Sequence, residues 1–402
     1  VGEQIWDRAV VWAHRPEGLA AAAWLAGRGV SVRLLCAGAF PERLAPPSTV
    51  RGPWSAVAPW TGERRHALPR LGVFAGGALH PAPRRKRDLW ALLGATGLGA
   101  WAGALLDRTG GDDDARSWVR TRLGSAAYDR GLDGFLQQRL GGAPHRLPGG
   151  LARTLLGRRL DEAWALPDAS ERTQRWVDAV IEAGGEALEE VVVHGADVEA
   201  GRWEALQTEF GRERLEGPLV TDATPGQLAA LVESAPFDRP PRADLVEVRL
   251  PTDGALPYDR VWVLGRRPPL LQVHRSGDHH VVAELVLPVE HPAHGAAPAV
   301  HESLARTLLE GIVEVSAGEA VVRRHAEAVA RPRPDAWRAR DAAYQRAAIV
   351  PVGDAAWGVP LGLGDLAAQL ELLVDGAVVA TQRQHLLAAG PPEEPWCLVG
   401  EG

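Results

Sequence analysis

Methionine and asparagine are absent from these 402 residues. Lysine occurs once, at Lys86, and cysteine twice, at Cys36 and Cys397. Two cysteines so far apart exclude a disulfide framework and any thiolate-rich zinc site, and fit a reducing cytoplasm. One lysine among 44 basic residues, with no asparagine, indicates that AT-rich codons are avoided. We read this as the mark of a GC-rich bacterial genome, so the choice of Arg over Lys carries no mechanism. An excess of positive charge is also missing. The net charge of −7 and a pI near 6.0 exclude a general nucleic-acid binder. There is no G-x-S-x-G elbow and no Walker loop. A strand pattern that begins within the first residues leaves no room for a signal peptide in the sequence as it stands.

Long uncharged runs are scarce, with one exception. Leu89 to Leu106 carries no charge and follows Arg84, Arg85, Lys86 and Arg87. Gly99 and Gly103 form a small-xxx-small pair within it. Two readings stand: a buried helix or pair of helices, and a peripheral membrane contact through 89–106.

The composition that is present, 46% apolar and 24% charged, describes a folded chain with room for two or three domains. Val10 to Ala37 reads as strand, turn, Ala-rich helix and strand. That is the opening unit of a dinucleotide-binding fold, whose turn carries G-x-G-x-x-G with an acidic residue about 20 positions on. Here the three glycine positions hold Ala13, Arg15 and Gly18, and the acidic position holds Cys36. Gly18 keeps the helix-packing role. Arg15 puts a long side chain where bare backbone should approach a pyrophosphate. Pro16 removes an N–H from the helix start, and Glu17 adds a negative charge that satisfies the helix dipole internally. Arg15 still offers a guanidinium to a phosphate.

Further along, 84–140 reads as helical, with a capped stretch at Asp112 to Leu123. Helices are expected over 150–160, 169–183, 226–233, 302–316 and 365–387. Strands are expected at 190–193, 196–199, 202–208, 219–222, 244–250, 260–264 and 348–352, with a turn at 213–217. Leu270 to Leu287 reads as a hairpin around Ser276-Gly277-Asp278. His274, His279 and His280 fall in that hairpin, and His291 and His294 have H-x-x-H spacing. These spacings suit no standard metal site, and the hairpin histidines are read as solvated. No metal is expected.

The order of elements resembles the flavin-containing amine oxidase superfamily, nearest its protoporphyrinogen oxidase and phytoene desaturase branches. The resemblance rests on Gly18 to Ala22 with Gly29, Val32 and Leu34, on Trp118 to Tyr128, on Pro148-Gly149-Gly150, on Trp203 to Pro225, on Val352-Gly353-Asp354 and on Asp375-Gly376-Ala377. It implies an α/β fold with a discontinuous Rossmann-like FAD/NAD(P)-binding domain (1–45, 147–235, 340–402) and an inserted mixed α+β substrate domain (46–146, 236–339). It implies FAD and removal of a hydride from a C–N or C–C bond, with Gly353 and Asp354 at the cofactor and Asp354 bonding a ribitol or phosphate-proximal hydroxyl. Trp357 either stacks on a flavin or fills a vacated pocket. The expected cofactor residues are therefore Arg15, Gly18, Gly353, Asp354 and Trp357. Two of the three early glycines, the ribose acid and the arginine and paired glycines after the second strand are missing. Two functions remain: an FAD-dependent oxidoreductase-like protein with impaired or lost standard FAD binding, and a cofactor-free relative that binds a hydrophobic small molecule, a membrane or a partner protein.

Overall fold

The computed structural model describes residues 6–38, 49–51, 70–83, 86–94, 114–156, 163–165, 169–232, 242–264, 269–330, 334–353 and 370. Five apolar strands from distant parts of the chain pair side by side, all parallel: β17 (Ile349–Pro351), β11 (Leu219–Thr221), β1 (Arg8–Ala13), β2 (Ser31–Cys36) and β7 (Glu186–Leu188), in that order. Parallel strands are buried on both faces, and β1 shows it. Val11 and Ala13 face one core, while Val10 and Trp12 face another.

Helix α1 (Pro16–Gly27) covers the first face. Pro16 supplies a preset φ at the start, and the alanines that follow are strong helix formers. Every residue from Gly18 to Ala26 is buried, because α1 is wedged between the sheet and α6 (Ala169–Glu182). Small side chains permit that double contact. The second face of β1 looks onto α3 (Ala115–Leu123), α4 (Asp133–Leu140) and α5 (Gly149–Leu156), which share its apolar cluster. Asp114 caps α3 by accepting from Ser117 N–H at 2.7 Å, within the capped stretch the sequence indicated.

The second large sheet has seven strands: β16 (Val321–Ala330), β12 (Arg242–Pro251), β15 (His280–Pro288), β14 (Leu270–Arg275), β13 (Arg260–Val263), β4 (Leu71–Ala75) and β5 (Ala78–Pro81), in that order. Helix α8 (Pro298–Leu309) packs on one of its faces. A three-stranded meander, β8 (Val193–Glu199), β9 (Arg202–Thr208) and β10 (Gly211–Arg214), and a two-stranded pair, β3 (Thr49–Arg51) with β6 (Ala163–Ala165), complete the sheets. Helix α2 (Lys86–Leu92) opens the uncharged 89–106 run. Leu89 is fully buried and Trp90 donates its indole N–H to Leu123 O at 2.6 Å, so the run starts inside the protein. Residues 95–106 lie outside the described residues. No helix among the described residues is long and apolar enough to cross a membrane.

Several sequence expectations need correction. The strand expected at 190–193 is instead β7, which extends the parallel sheet, and Glu190 adopts φ 57 in the turn beyond it. Glu213 and Arg214, expected in a turn, pair with β9. The helix expected at 302–316 begins at Pro298 and stops at Leu309, where Glu310 turns extended. Strand β16 and helix α9 (Pro334–Ala347) were not foreseen. His274, expected in solvent, is 2% exposed beside Glu284 at 3.2 Å, because its position in β14 points it inward. His279 and His280, at the hairpin tip, are exposed. The helix expected over 365–387 lies outside the described residues apart from residue 370.

Candidate functional site

Strand order runs in opposite directions from β1, to β2 on one side and to β11 on the other. Ligands of open α/β sheets bind in the crevice at such a switch point, beyond the carboxyl ends of the strands. In this chain the crevice holds Asp222, the residue directly after β11. Asp222 Oδ1 accepts the His14 N–H at 2.7 Å, and Oδ2 accepts the N–H of Arg15 at 2.9 Å and of Gly18 at 2.7 Å. The side chain is fully buried. These donors border the unpaired start of α1, which is where such folds present N–H groups to an anion.

Gly18 is obligatory for this contact. A Cβ there would lie 2.7 Å from Asp222 Oδ2 and 2.9 Å from Ala13 Cα. Gly353 is likewise fixed, by φ 74 and by Glu17, whose Cβ would stand 2.8 Å from a Cβ at 353. Three of the sequence-derived site residues, Arg15, Gly18 and Gly353, therefore meet at one end of the sheet. Asp354 and Trp357 lie outside the described residues. Glu17 was expected to answer the helix dipole. It stands in the first turn of α1 and also lies against Gly353, while Asp222 supplies the acceptor for the loop N–H groups.

The electrostatics follow from burial. Asp222 is pushed up to about 7 by desolvation and by Glu17, with the amide bonds from His14 and Gly18 and the charge of Arg15 opposing. The Cys36 thiol rises to about 12 through burial, then Glu189 and Asp222. A neutral thiol at the end of β2 offers no carboxylate to a ribose. His14 falls to about 4 through burial and the neighbouring Arg15, so its ring is neutral at physiological pH.

A capping box sets the His14 tautomer. Thr224 caps α7 (Pro225–Leu231) by accepting Gln227 N–H at 3.1 Å, and Gln227 Oε1 accepts Thr224 N–H at 2.8 Å. That bond turns Gln227 Nε2 toward His14 Nδ1 at 3.3 Å. A neutral ring accepting at Nδ1 carries its proton on Nε2. Among the described residues His14 Nε2 is buried without a partner, and so is the indole nitrogen of Trp12, whose ring meets His14 edge-on at 4.3 Å between centroids.

No protein-family model matches this sequence, and no curated protein is similar to it. Solved structures are similar in fold. A protoporphyrinogen oxidase-like protein from Exiguobacterium aligns with a TM-score of 0.63 at 16% identity, over 92% of this chain and 98% of its own. A reduced UDP-galactopyranose mutase aligns at 0.70 and 11% identity, over 95% and 97%. An oxidoreductase from Methanosarcina mazei aligns at 0.65 and 12% identity, over 92% and 100%. The chain shares the Rossmann-like α/β fold of these structures. At the loop between β1 and α1, Asp222 is the residue that sequence reading missed. Its signal was an acid closing an otherwise apolar strand, Leu219-Val220-Thr221-Asp222, opposite a loop short of glycine.

A second polar group lies on the seven-stranded sheet. Trp262, Gln272, Glu284, Glu247 and Arg323 occupy paired positions on five adjacent strands, hence one face. Arg139 of α4 donates to Gln272 Oε1 at 2.5 Å, and Gln272 Nε2 donates to Glu284 Oε2 at 2.5 Å. His325 Nε2 lies 2.9 Å from Glu247 Oε2. Among the described residues no group of three or more His, Cys, Asp or Glu side chains is arranged to hold a metal.

Proposed function

We propose that this protein is a binding module built on the flavoenzyme fold, working without FAD held in the standard way. The observation that carries the reading is the engagement of the His14, Arg15 and Gly18 N–H groups by Asp222. A pyrophosphate needs those donors, and would meet a carboxylate already there, with Glu17 adding like charge. Arg15 in place of the second glycine and Cys36 in place of the ribose acid point the same way. The residues present do not fit the group, so no hydride step is derived through it. A hydrophobic small molecule is the favoured ligand class, ahead of a partner protein or a membrane contact through 89–106. The FAD-dependent oxidoreductase reading requires the cofactor to be held by other contacts.

The test is the visible spectrum of protein purified without added cofactor, followed by denaturation to release any flavin, and then titration with FAD. The expected protein is colourless and leaves FAD fluorescence unchanged. A stoichiometric flavin spectrum would overturn the proposal. The triple variant Arg15→Gly, Cys36→Glu, Asp222→Gly is expected to gain FAD affinity.

A further inference from the structure

Two buried donors at the carboxyl end of β1 have no acceptor among the described residues. Trp12 Nε1 belongs to a side chain only 2% exposed, and His14 Nε2 lies in the ring against it. A buried N–H without a partner is unfavourable and rare. The arrangement is held on both sides. Trp12 sits one residue before the end of β1, with its own carbonyl accepting from Thr221 Oγ1 at 2.7 Å. His14 is fixed through its backbone by Asp222 and through Nδ1 by Gln227. Neither ring is placed there to satisfy its own nitrogen.

We propose that these two N–H groups are the polar contacts of a site for an uncharged, carbonyl-bearing aromatic ligand. The proposal rests on the reading above, since a pyrophosphate held by the loop would occupy the same end of the sheet. The chemistry selects the ligand. Both free atoms are donors, so the ligand atom is an acceptor. Asp222 and Glu17 stand at the loop beside them, which disfavours an anionic acceptor. Trp12 and the apolar cluster behind it favour a flat, apolar body. Phosphate recognition through backbone N–H groups is thereby replaced by recognition of a carbonyl through side-chain N–H groups on the other face of β1.

The experiment uses the full chain and lumiflavin as probe, an uncharged aromatic ring system with carbonyl groups and no phosphate. Binding is followed by calorimetry for wild type, Trp12→Phe and His14→Phe, with ADP and FAD as charged comparators. Nitrogen-15 NMR of the wild type reports the His14 tautomer and the Trp12 indole N–H without any substitution. The expected result is that lumiflavin binds, ADP and FAD do not, and each variant weakens lumiflavin about fivefold or more. His14 should carry its proton on Nε2, and both N–H signals should shift on binding. Failure of lumiflavin to bind, or wild-type affinity in both variants, would overturn this inference while leaving the cofactor-free reading intact. An Nδ1-protonated His14 would overturn it as well. Tight FAD binding by the wild type would overturn the cofactor-free reading, and this inference with it.

Discussion

Asp222 illustrates how much one residue decides here. Its carboxyl ordinarily titrates near 3.8 and in the fold reaches about 7. Between those values the unfolded chain is ionised while the native chain keeps the proton. Native stability therefore falls as pH rises from about 4 to about 7, by on the order of 4 kcal/mol for this group. Urea melts at pH 5 and pH 7.5 should show about 2–3 kcal/mol of that loss in wild type and lack it in Asp222→Ala; a wild-type difference no larger than the variant's would refute the assignment. Cys36 gives a simpler check. With a thiol pushed to about 12 and buried, it should stay unreactive to a thiol reagent at pH 8 in a Cys397→Ser background, and react on unfolding. The missing glycines and the cysteine at the acid position were legible in the sequence. The role of Asp222 was not, because it lies more than 200 residues from the loop it closes.

At the scale of elements, the start of α1 and the start of α7 are coupled. Gly18→Ala would press a methyl group into Asp222 and Ala13, with an expected loss of about 1–3 kcal/mol. Thr224→Ala removes one half of the capping box and should lower stability by about 1 kcal/mol. It also frees the Gln227 amide, so the His14 ring should lose its single tautomer in the nitrogen-15 spectrum. Asp222→Gly vacates an anion-sized space lined by N–H groups. Inorganic pyrophosphate should raise the melting temperature of that variant and leave the wild type unmoved. Helix α1 was readable from Pro16 and the alanine run, since propensity and burial agree there. The edge strand β7 was not, because its three residues carry too little pattern and are held in place by pairing with β2.

Across the whole molecule, the seven-stranded sheet and the helices facing it meet through Arg139, Gln272 and Glu284. Gln272→Leu removes an acceptor from Arg139 and a donor from Glu284, in a buried setting. Chemical denaturation should show a loss of about 2–3 kcal/mol, more than an exposed substitution gives. The alternating and apolar runs marked most of the strands, because periodicity is local, whereas their order in the sheets came only from the long-range pairing. By itself the sequence determined the Rossmann-like opening unit, the loss of its phosphate glycines and the acidic, cysteine-poor character of the chain. Only the tertiary structure decided what fills the crevice. Parallel pairing sets the end of β11 beside the end of β1, and that neighbourhood turns a strand-end aspartate into the acceptor for the loop N–H groups. It also leaves Trp12 and His14 as donors without acceptors among the described residues, a property of three-dimensional packing that no spacing in the chain records.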